Sequence, residues 1–415
     1  MSNHGSARGA DDSGPGHSGP GHSGAGRGLP FAMAAYAFTV AMCGTTLPTP
    51  LYRMYQEKWG FSSFMVTVIF AVYAVGVIVA LLLLGQLSDA VGRRPVLLAG
   101  LVASALSAVC FLFEQGLPEL FAGRVLSGLS AGLFTGTATA AVVELAPPRW
   151  AASATLVATA ANMGGLGSGP LLAGLLAQFA PDPLRQVFIV DLVLVAAGVV
   201  GVLLIPATVR DREGGSRRPR RLRVPASVRP AFVPAAMAGF AGFATMGLFT
   251  SVAPSFLSEV VGVSEPAVSG TVVFTVFAAS TAGQLLMGRV GVRRALPWGC
   301  VVLVVGMAVI AGALLAASLP LLVVGAVTAG AGQGLSFRAG VTEVSEHSPP
   351  ERRGEITSAL FVVLYVAISI PVVGVGIMAV TLGLRTSGLI FTACVAALAA
   401  TTAVLLWLRP VARNA

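Results

Sequence analysis

Twelve apolar stretches separated by short polar breaks dominate the chain from Leu29 to about residue 408. A transmembrane helix needs about 20 consecutive apolar residues, and every stretch is that long. Because a backbone in hydrocarbon must satisfy its own hydrogen bonds, the pattern predicts an all-α membrane protein with twelve transmembrane helices. The stretches lie at 31–51, 64–86, 95–114, 118–145, 151–179, 186–208, 231–257, 266–288, 296–317, 319–345, 355–380 and 386–408.

The composition excludes other classes of protein. Hydrophobic residues make up 55% of the chain and charged residues 10%, whereas ordinary globular domains carry roughly 45–50% and 25%. Disordered chains, DNA-binding domains and most soluble enzymes do not have this balance. A net charge of +9 would suit a nucleic-acid partner, but most basic residues lie in short segments between apolar stretches. We therefore expect no nucleic-acid partner and a chain embedded in a lipid bilayer.

The basic residues predict an orientation, because cytoplasmic loops carry the excess of Lys and Arg. With the N-terminus in the cytoplasm, four of the 26 basic residues fall outside and two fall within spans, which leaves 20 inside. Both termini are therefore predicted to be cytoplasmic, in the inner membrane of a bacterium. The outer residues are Arg53, Lys58, Arg185 and Arg385, and those within spans are Arg124 and Arg338.

The two sets of six stretches repeat one another. Glu144, Pro147 and Pro148 recur 202 positions later, at Glu346, Pro349 and Pro350. Parallel repeats of six spans predict two similar helix bundles with a cavity between them near the bilayer midplane. The predicted organisation is a disordered tail (1–28), a six-helix bundle (29–208), a basic linker (209–230), a second bundle (231–410) and a short tail (411–415).

Catalytic and metal sites are not indicated. The four cysteines lie in apolar stretches without a CxxC spacing, and all four histidines lie outside the spans. The sequence GLSAG at 128–132 resembles a hydrolase motif, but that motif needs a strand-to-helix turn and a His base. We expect a protein that is not an enzyme and has no metal site or bound cofactor.

The segment GQLSDAVGRRP at 85–95 follows the second span. It resembles the G-x-L-S-D-x-x-G-R-R-P loop of the major facilitator superfamily at every defined position. This resemblance implies the major facilitator fold, two pseudo-symmetric six-helix bundles, with a latch that joins the bundles on the cytoplasmic side. The implied latch residues are Gly85, Asp89, Gly92, Arg93 and Arg94, with Glu144 and Arg149 after the fourth span.

Two further motifs resemble those of the same family. Arg124 in the fourth span precedes Gly128, Gly132 and Gly136, similar to a pattern whose Arg takes part in proton coupling. Small residues at this spacing also serve ordinary helix packing, and Arg124 could instead extend towards the outer surface. The fifth span resembles the kinked interface helix of drug:proton antiporters, on the residues Gly165, Gly169 and Pro170, but Leu156 and Ala173 replace two motif glycines.

Ionisable residues within spans are few, and such residues mark ion or substrate pathways. The candidates for proton coupling or substrate contact are Tyr36, Arg124, Asp191, Arg338 and Glu343. Asp191 could alternatively support structure, and Arg338 could attract an anion or pair with Glu343. The first span has no acid, which disfavours an exporter of purely cationic drugs.

These features together predict a monomeric secondary transporter that works by alternating access and draws on the proton gradient. The favoured function is export of small amphipathic or hydrophobic compounds in exchange for protons. The alternatives are a carrier or uptake symporter for sugars or organic acids, and a membrane sensor that transports nothing.

Overall fold

The computed structural model describes residues 28–84, 91–205 and 224–408, and these contain helices but no strands. The predicted N-terminal tail, Gly85, Asp89, most of the basic linker and the C-terminal tail lie outside the described residues. The all-α prediction is confirmed for the part of the chain that the structure describes.

The first half comprises residues 28–205. Short 3₁₀ turns at Thr49–Leu51 and Pro148–Ser153 and a π turn at Ala80–Leu84 complete its helices. The helices are α1 (Gly28–Thr46), α2 (Tyr52–Trp59), α3 (Ser63–Val79), α4 (Arg93–Leu112), α5 (Leu117–Leu145), α6 (Ala154–Phe179) and α7 (Pro183–Leu203).

The second half comprises residues 224–408 and repeats this order. A π turn at Leu257–Val261 follows its short second helix. The helices are α8 (Arg229–Ser251), α9 (Ala253–Phe256), α10 (Pro266–Val290), α11 (Val292–Ala316), α12 (Leu319–Glu346), α13 (Arg353–Leu382) and α14 (Leu384–Trp407).

Within the described residues twelve helices are long and two, α2 and α9, are short; the long helices correspond to the twelve predicted spans. Eleven of the twelve are long and apolar enough to cross a membrane by length and composition. The exception is α6, which has 26 residues but is rich in Gly, Ala, Ser and Thr. Its small residues suit its position, because α6 packs closely against α1 and α10.

The sequence repeat is visible in the backbone. Gly60 and Gly262 each follow a short helical segment at the same place in the two halves, with φ of 67° and 81°. This left-handed conformation strains residues with a Cβ atom but not glycine. The 202-residue offset therefore relates two turns of the same conformation at equivalent positions in the two halves.

The bundle has two ends. One end carries a set of basic residues, and we call it the basic end. Among these residues are Arg93, Arg149, Arg293 and Arg352, which lie in or next to the α3–α4, α5–α6, α10–α11 and α12–α13 connections. The opposite end carries the segments that join α1 to α3, α6 to α7 and α8 to α10.

The halves are closed against each other at the opposite end. Arg53 donates a hydrogen bond to Ser264 at 3.0 Å, and the backbone N–H of Ala267 donates to Gln178 at 3.2 Å. Residues 241–257, from the middle of α8 to the start of the following turn, are all buried. The opposite end is therefore sealed by contacts between both halves.

Candidate functional site

A small cavity lies between the two halves near mid-depth. Its volume is about 50 Å³, and seven helices contribute to its wall. Every lining residue is uncharged, and most are aromatic or apolar. They are Thr45, Thr46, Phe70, Tyr73, Met163, Leu166, Phe243, Met246, Thr250, Phe277, Gln333, Tyr365 and Ile368.

Aromatic rings from both halves meet across this cavity. Tyr73 of α3 and Tyr365 of α13 contact edge to face, with ring centroids 6.2 Å apart, and Phe243 lies 6.4 Å from Tyr365. Drug-sized ligands occupy pockets of roughly 300–1,000 Å³. Binding such a ligand therefore requires these rings, or the halves that carry them, to move apart.

A polar cluster lies beside the cavity in the second half. Ser280 of α10 donates a hydrogen bond of 2.6 Å to the amide oxygen of Gln333 on α12, and Gln284 donates to Ser280 at 3.4 Å. These bonds fix the oxygen of the Gln333 side chain. The amide nitrogen of Gln333 is then the hydrogen-bond donor that this side chain can offer at the cavity wall.

Thr46 links the cavity to the helix that contains Pro170. Proline has no N–H, so Pro170 cannot donate to the carbonyl of Leu166 one turn earlier. The hydroxyl of Thr46 donates to that carbonyl at 2.7 Å. Gly165 and Gly169 of α6 both lie directly against α1, so the fifth-span residues that the sequence singled out join α1 to α6.

Arg124 is fully buried behind Phe70, with 0% of its surface exposed. Its Nη1 donates a 2.6 Å hydrogen bond to the carbonyl of Thr45. The guanidinium also lies over the rings of Tyr52, Phe70 and Phe111, at 5.1, 5.9 and 5.8 Å. Its Nε and Nη2 have no hydrogen-bond partner among the described residues. Extension of Arg124 to the outer surface is therefore excluded.

Asp191 of α7 is also buried, but at a different place in the first half. Its side chain is 2% exposed, and its Oδ1 has no hydrogen-bond partner in the described part of the chain. The carboxyl group lies against Gly44 of α1 and close to Ser104 of α4. Neither Asp191 nor Arg124 lines the cavity, although each contacts the α1 segment that does.

The other candidates from the spans do not come together. The hydroxyl of Tyr36 donates to the carbonyl of Leu194 at 3.1 Å, which ties α1 to α7. Arg338 donates to the carbonyl of Gln284 at 3.2 Å. The Oε1 of Glu343 lies 3.8 Å from the Nδ1 of His347. The ion pairs between described residues do not join Arg338 to Glu343.

The described latch residues lie at the basic end. Arg93 forms a 3.2 Å ion pair with Glu144, and both belong to the first half. Arg149 stacks over the ring of Trp150 at 4.9 Å. Gly92 precedes α4, whose first residues are Arg93 and Arg94. The ion pair thus joins α4 to α5 within one half.

Two of the three glycines in the fourth-span pattern, Gly128 and Gly132, serve helix packing, whereas Gly136 has open space beside it. A Cβ atom at Gly128 would overlap the carbonyl of Tyr73 on α3, and one at Gly132 would meet Ala80. The close approach of α3 and α5 depends on these two positions, as small residues at this spacing allow. This packing brings Arg124, on the same helix, behind the cavity wall.

A larger apolar groove of about 540 Å³ lies between α3 and α13. Tyr365 lines both this groove and the central cavity. The hydroxyl of Ser369 donates to the carbonyl of Ala71 at 3.5 Å across it. The two spaces meet at one side chain, so a rotation of Tyr365 would change the wall between them.

Sequence reasoning missed Gln333, Tyr73 and Tyr365. A signal for Gln333 exists, because an amide side chain in the middle of an apolar stretch needs a partner. The tyrosines carry no such signal, since a tyrosine ring is largely apolar and tyrosine is enriched where membrane helices reach the lipid headgroups. Their proximity results from the packing of α3 on α13, across 292 residues of sequence.

Comparison with known proteins gives a family and several relatives. The model of the Major Facilitator Superfamily matches residues 34–370. The chain is 32% identical over 115 residues to the tetracycline resistance protein, class B, of Escherichia coli, a stretch that covers 28% of each chain. It is 25% identical over 179 residues to the putative multidrug resistance protein MdtD of Serratia proteamaculans, covering 43% of this chain and 37% of that one.

These two matches therefore span 28% and 37% of the relatives' lengths. A solved structure of similar fold is a bacterial homologue of the human lysosomal transporter Spinster, in an inward-facing, unoccupied conformation. It has a TM-score of 0.69 and 16% identity, and the match covers 92% of this chain and 98% of the other. At this identity the likeness concerns the fold alone.

Proposed function

Because this chain belongs to the Major Facilitator Superfamily, it is a membrane transporter of small molecules, and we propose that it exports hydrophobic or amphipathic compounds in exchange for protons. The tetracycline and multidrug resistance proteins among its relatives favour this class of substrate. Transport then follows alternating access, in which the two halves close at one end and open at the other.

The observation that carries the proposal is the chemistry of the central cavity. Its wall combines aromatic rings, methionines and three threonine side chains with one amide, Gln333, and it contains no charged residue. Apolar and aromatic linings with a few polar groups are typical of sites for hydrophobic ligands. A sugar or an organic acid would need many more hydrogen-bond partners or a cation there. The metabolite-carrier alternative is therefore less well supported.

The closure of the opposite end also agrees with the proposal. The excess of Arg at the basic end favours a cytoplasmic location for that end, in a bacterial inner membrane. The halves are closed at the other end, so the structure would correspond to a state in which the cavity is sealed from the outside. We expect the protein to act as a monomer, because each chain contains both halves.

The first test is a panel of toxic compounds on a pump-deficient bacterial host, with and without this gene. We expect higher resistance to some hydrophobic or amphipathic compounds, with tetracycline and chloramphenicol as the first probes. Tyr365→Ala should change this resistance profile because Tyr365 lines the cavity. Trp407→Ala is the matched control, since Trp407 contacts Trp298 far from the cavity.

Proton coupling is tested separately in everted membrane vesicles. A compound exported in exchange for protons should release protons from energised vesicles when it is added. Accumulation of sugars or organic acids that follows an inward proton gradient in whole cells would refute export and favour an uptake symporter. Resistance that persists after the proton gradient is collapsed would refute the coupling.

A further inference from the structure

The carboxyl group of Asp191 is a buried acid without a cation. Asp191 is 2% exposed, its Oδ1 has no hydrogen-bond partner, and the ion pairs between described residues do not include it. A buried ionised carboxylate without compensation is strongly unfavourable, and a proton is the simplest way to neutralise it. Asp191 is therefore suited to bind a proton.

The ionised side chains of α7 and of the helices packed on it lie at helix ends: Arg93 and Arg94 begin α4, and Arg185 lies in the first turn of α7. Helix α7 packs on α1, α4 and α6. The titratable group that faces the carboxyl from α1 is the thiol of Cys43, and α4 contributes the neutral hydroxyl of Ser104. Helix α6 contains no titratable residue at all. A change in the charge of Asp191 would therefore go uncompensated by a neighbour.

Glycine at position 44 allows α1 to lie directly on this carboxyl group. A Cβ atom at Gly44 would lie 3.3 Å from both carboxylate oxygens of Asp191 and 3.1 Å from the hydroxyl of Ser104. The backbone of α1 thus covers the acid. Any movement of α1 relative to α7 alters the enclosure of the carboxyl group.

The next two residues of α1 reach the other parts of the site. The carbonyl of Thr45 accepts a hydrogen bond from Arg124, and the side chain of Thr46 lines the cavity and bonds to α6. Three consecutive residues thus contact the buried acid, the buried cation and the cavity. A displacement of α1 at one contact must alter the other two contacts, because the segment is helical and continuous.

We propose that Asp191 is the proton-binding site of this transporter and that the segment Gly44–Thr46 of α1 couples its protonation to the shape of the cavity. The proposal rests on proton-coupled export as the proposed function. The proton comes from water and adds to a carboxylate oxygen of Asp191, which becomes a neutral acid. The same O–H bond breaks when the proton returns to water on the other side, and no bond to the exported compound forms.

Protonation itself is tested without any exported compound. The protein reconstituted in liposomes is titrated while the infrared band of a protonated carboxyl group is followed. We expect a band in the wild type that Asp191→Asn removes. Asp182→Asn is the matched control, because Asp182 precedes the same helix but is exposed and lies 3.8 Å from Arg185. A band that is unchanged in Asp191→Asn would overturn the proposal. A wild-type band that is lost only when sodium ions are present would also overturn it.

Coupling is tested with tetracycline as the probe in vesicles. Asn is close in shape to Asp and cannot change its charge, so Asp191→Asn should lose gradient-driven accumulation but keep exchange of labelled for unlabelled tetracycline. Asp191→Glu should recover part of the accumulation. Loss of both activities would indicate a structural role and overturn the proposal, as would retention of both.

The two proposals fail in different ways. If wild-type protein shows proton-coupled tetracycline transport and Asp191→Asn shows it equally, only the assignment of Asp191 is wrong. If the wild type shows no proton-coupled transport of any panel compound, the proposed function is wrong. In that case the infrared titration still decides whether Asp191 binds a proton.

Discussion

Thr46 and Pro170 should be energetically coupled, because the hydroxyl of Thr46 replaces the hydrogen bond that Pro170 removes from Leu166. The bond is 2.7 Å long, and Thr46 is 6% exposed. In Thr46→Val the shape is kept, but the carbonyl of Leu166 loses its donor. Leaving a buried polar group without a partner costs about 1–3 kcal/mol. Hydrogen bonds between membrane helices average about 0.6 and reach about 1.7 kcal/mol.

In Pro170→Ala the alanine N–H can donate to the same carbonyl, as in an ordinary helix. The hydroxyl of Thr46 is then no longer needed there. We therefore expect Thr46→Val to lower the free energy of unfolding by about 1–2 kcal/mol with Pro170 present, and to have little effect in the Pro170→Ala background. The coupling energy of this double-mutant cycle should then be about 1–2 kcal/mol.

The assay is reversible unfolding of the purified protein in mixed micelles, followed by circular dichroism, for the wild type, both single variants and the double variant. Thr45→Val is the matched control, because the hydroxyl of Thr45 bonds at 2.7 Å to the carbonyl of Met42 on its own helix. It should show no coupling to Pro170→Ala. Effects of Thr46→Val and Pro170→Ala that add within about 0.3–0.5 kcal/mol would refute the reasoning.

Four other substitutions, one of them with a matched control, have defined expectations. Gly128→Ala should destabilise the protein by about 1–3 kcal/mol, because the added Cβ would overlap the backbone of α3. Gly312→Ala should be neutral, because Gly312 has open space around it. Thermal unfolding compares the two variants. Arg124→Leu should abolish tetracycline transport yet change the free energy of unfolding by less than about 2 kcal/mol. The variant loses a charged hydrogen bond but also removes a buried charge, and the two effects offset each other. Severe unfolding of this variant would contradict the expectation. Glu144→Gln should cost less than about 1 kcal/mol in the same unfolding assay, as its pair with α4 is partly exposed. Asp89→Asn should impair transport while membrane insertion, measured by fractionation, stays unchanged. Normal transport would count against the latch role that the motif resemblance implies for this acid.

The helices themselves were predictable because their causes are local. Apolar length determines a membrane span, and proline at the first turn marks where a helix begins. Pro118, Pro183, Pro266 and Pro320 all lie in the first turn of a helix. The first predicted span, 31–51, was less accurate: α1 ends at Thr46, and a 3₁₀ turn and α2 follow. The apolar pattern does not mark that break, although Pro48 and Pro50 lie directly after it.

The candidate site was predictable only in part. The sequence pointed to Arg124 and Asp191 because a charge within an apolar stretch is unusual whatever surrounds it. It also singled out Pro170, although not the hydroxyl that compensates for it. Gln333 and the tyrosines were missed because a side chain lines a cavity only when several helices bring it there.

The sequence by itself determined the twelve long helices, the repeat of six and the family, since apolar length, a 202-residue offset and a contiguous loop motif can each be read along the chain. Only the tertiary structure decided that Gly44, Thr45 and Thr46 contact Asp191, Arg124 and the cavity in turn. It also separated Arg338 from Glu343, which are close in sequence. The physical reason is that a buried charge is recognisable from its type, whereas its partners depend on which helices pack beside it.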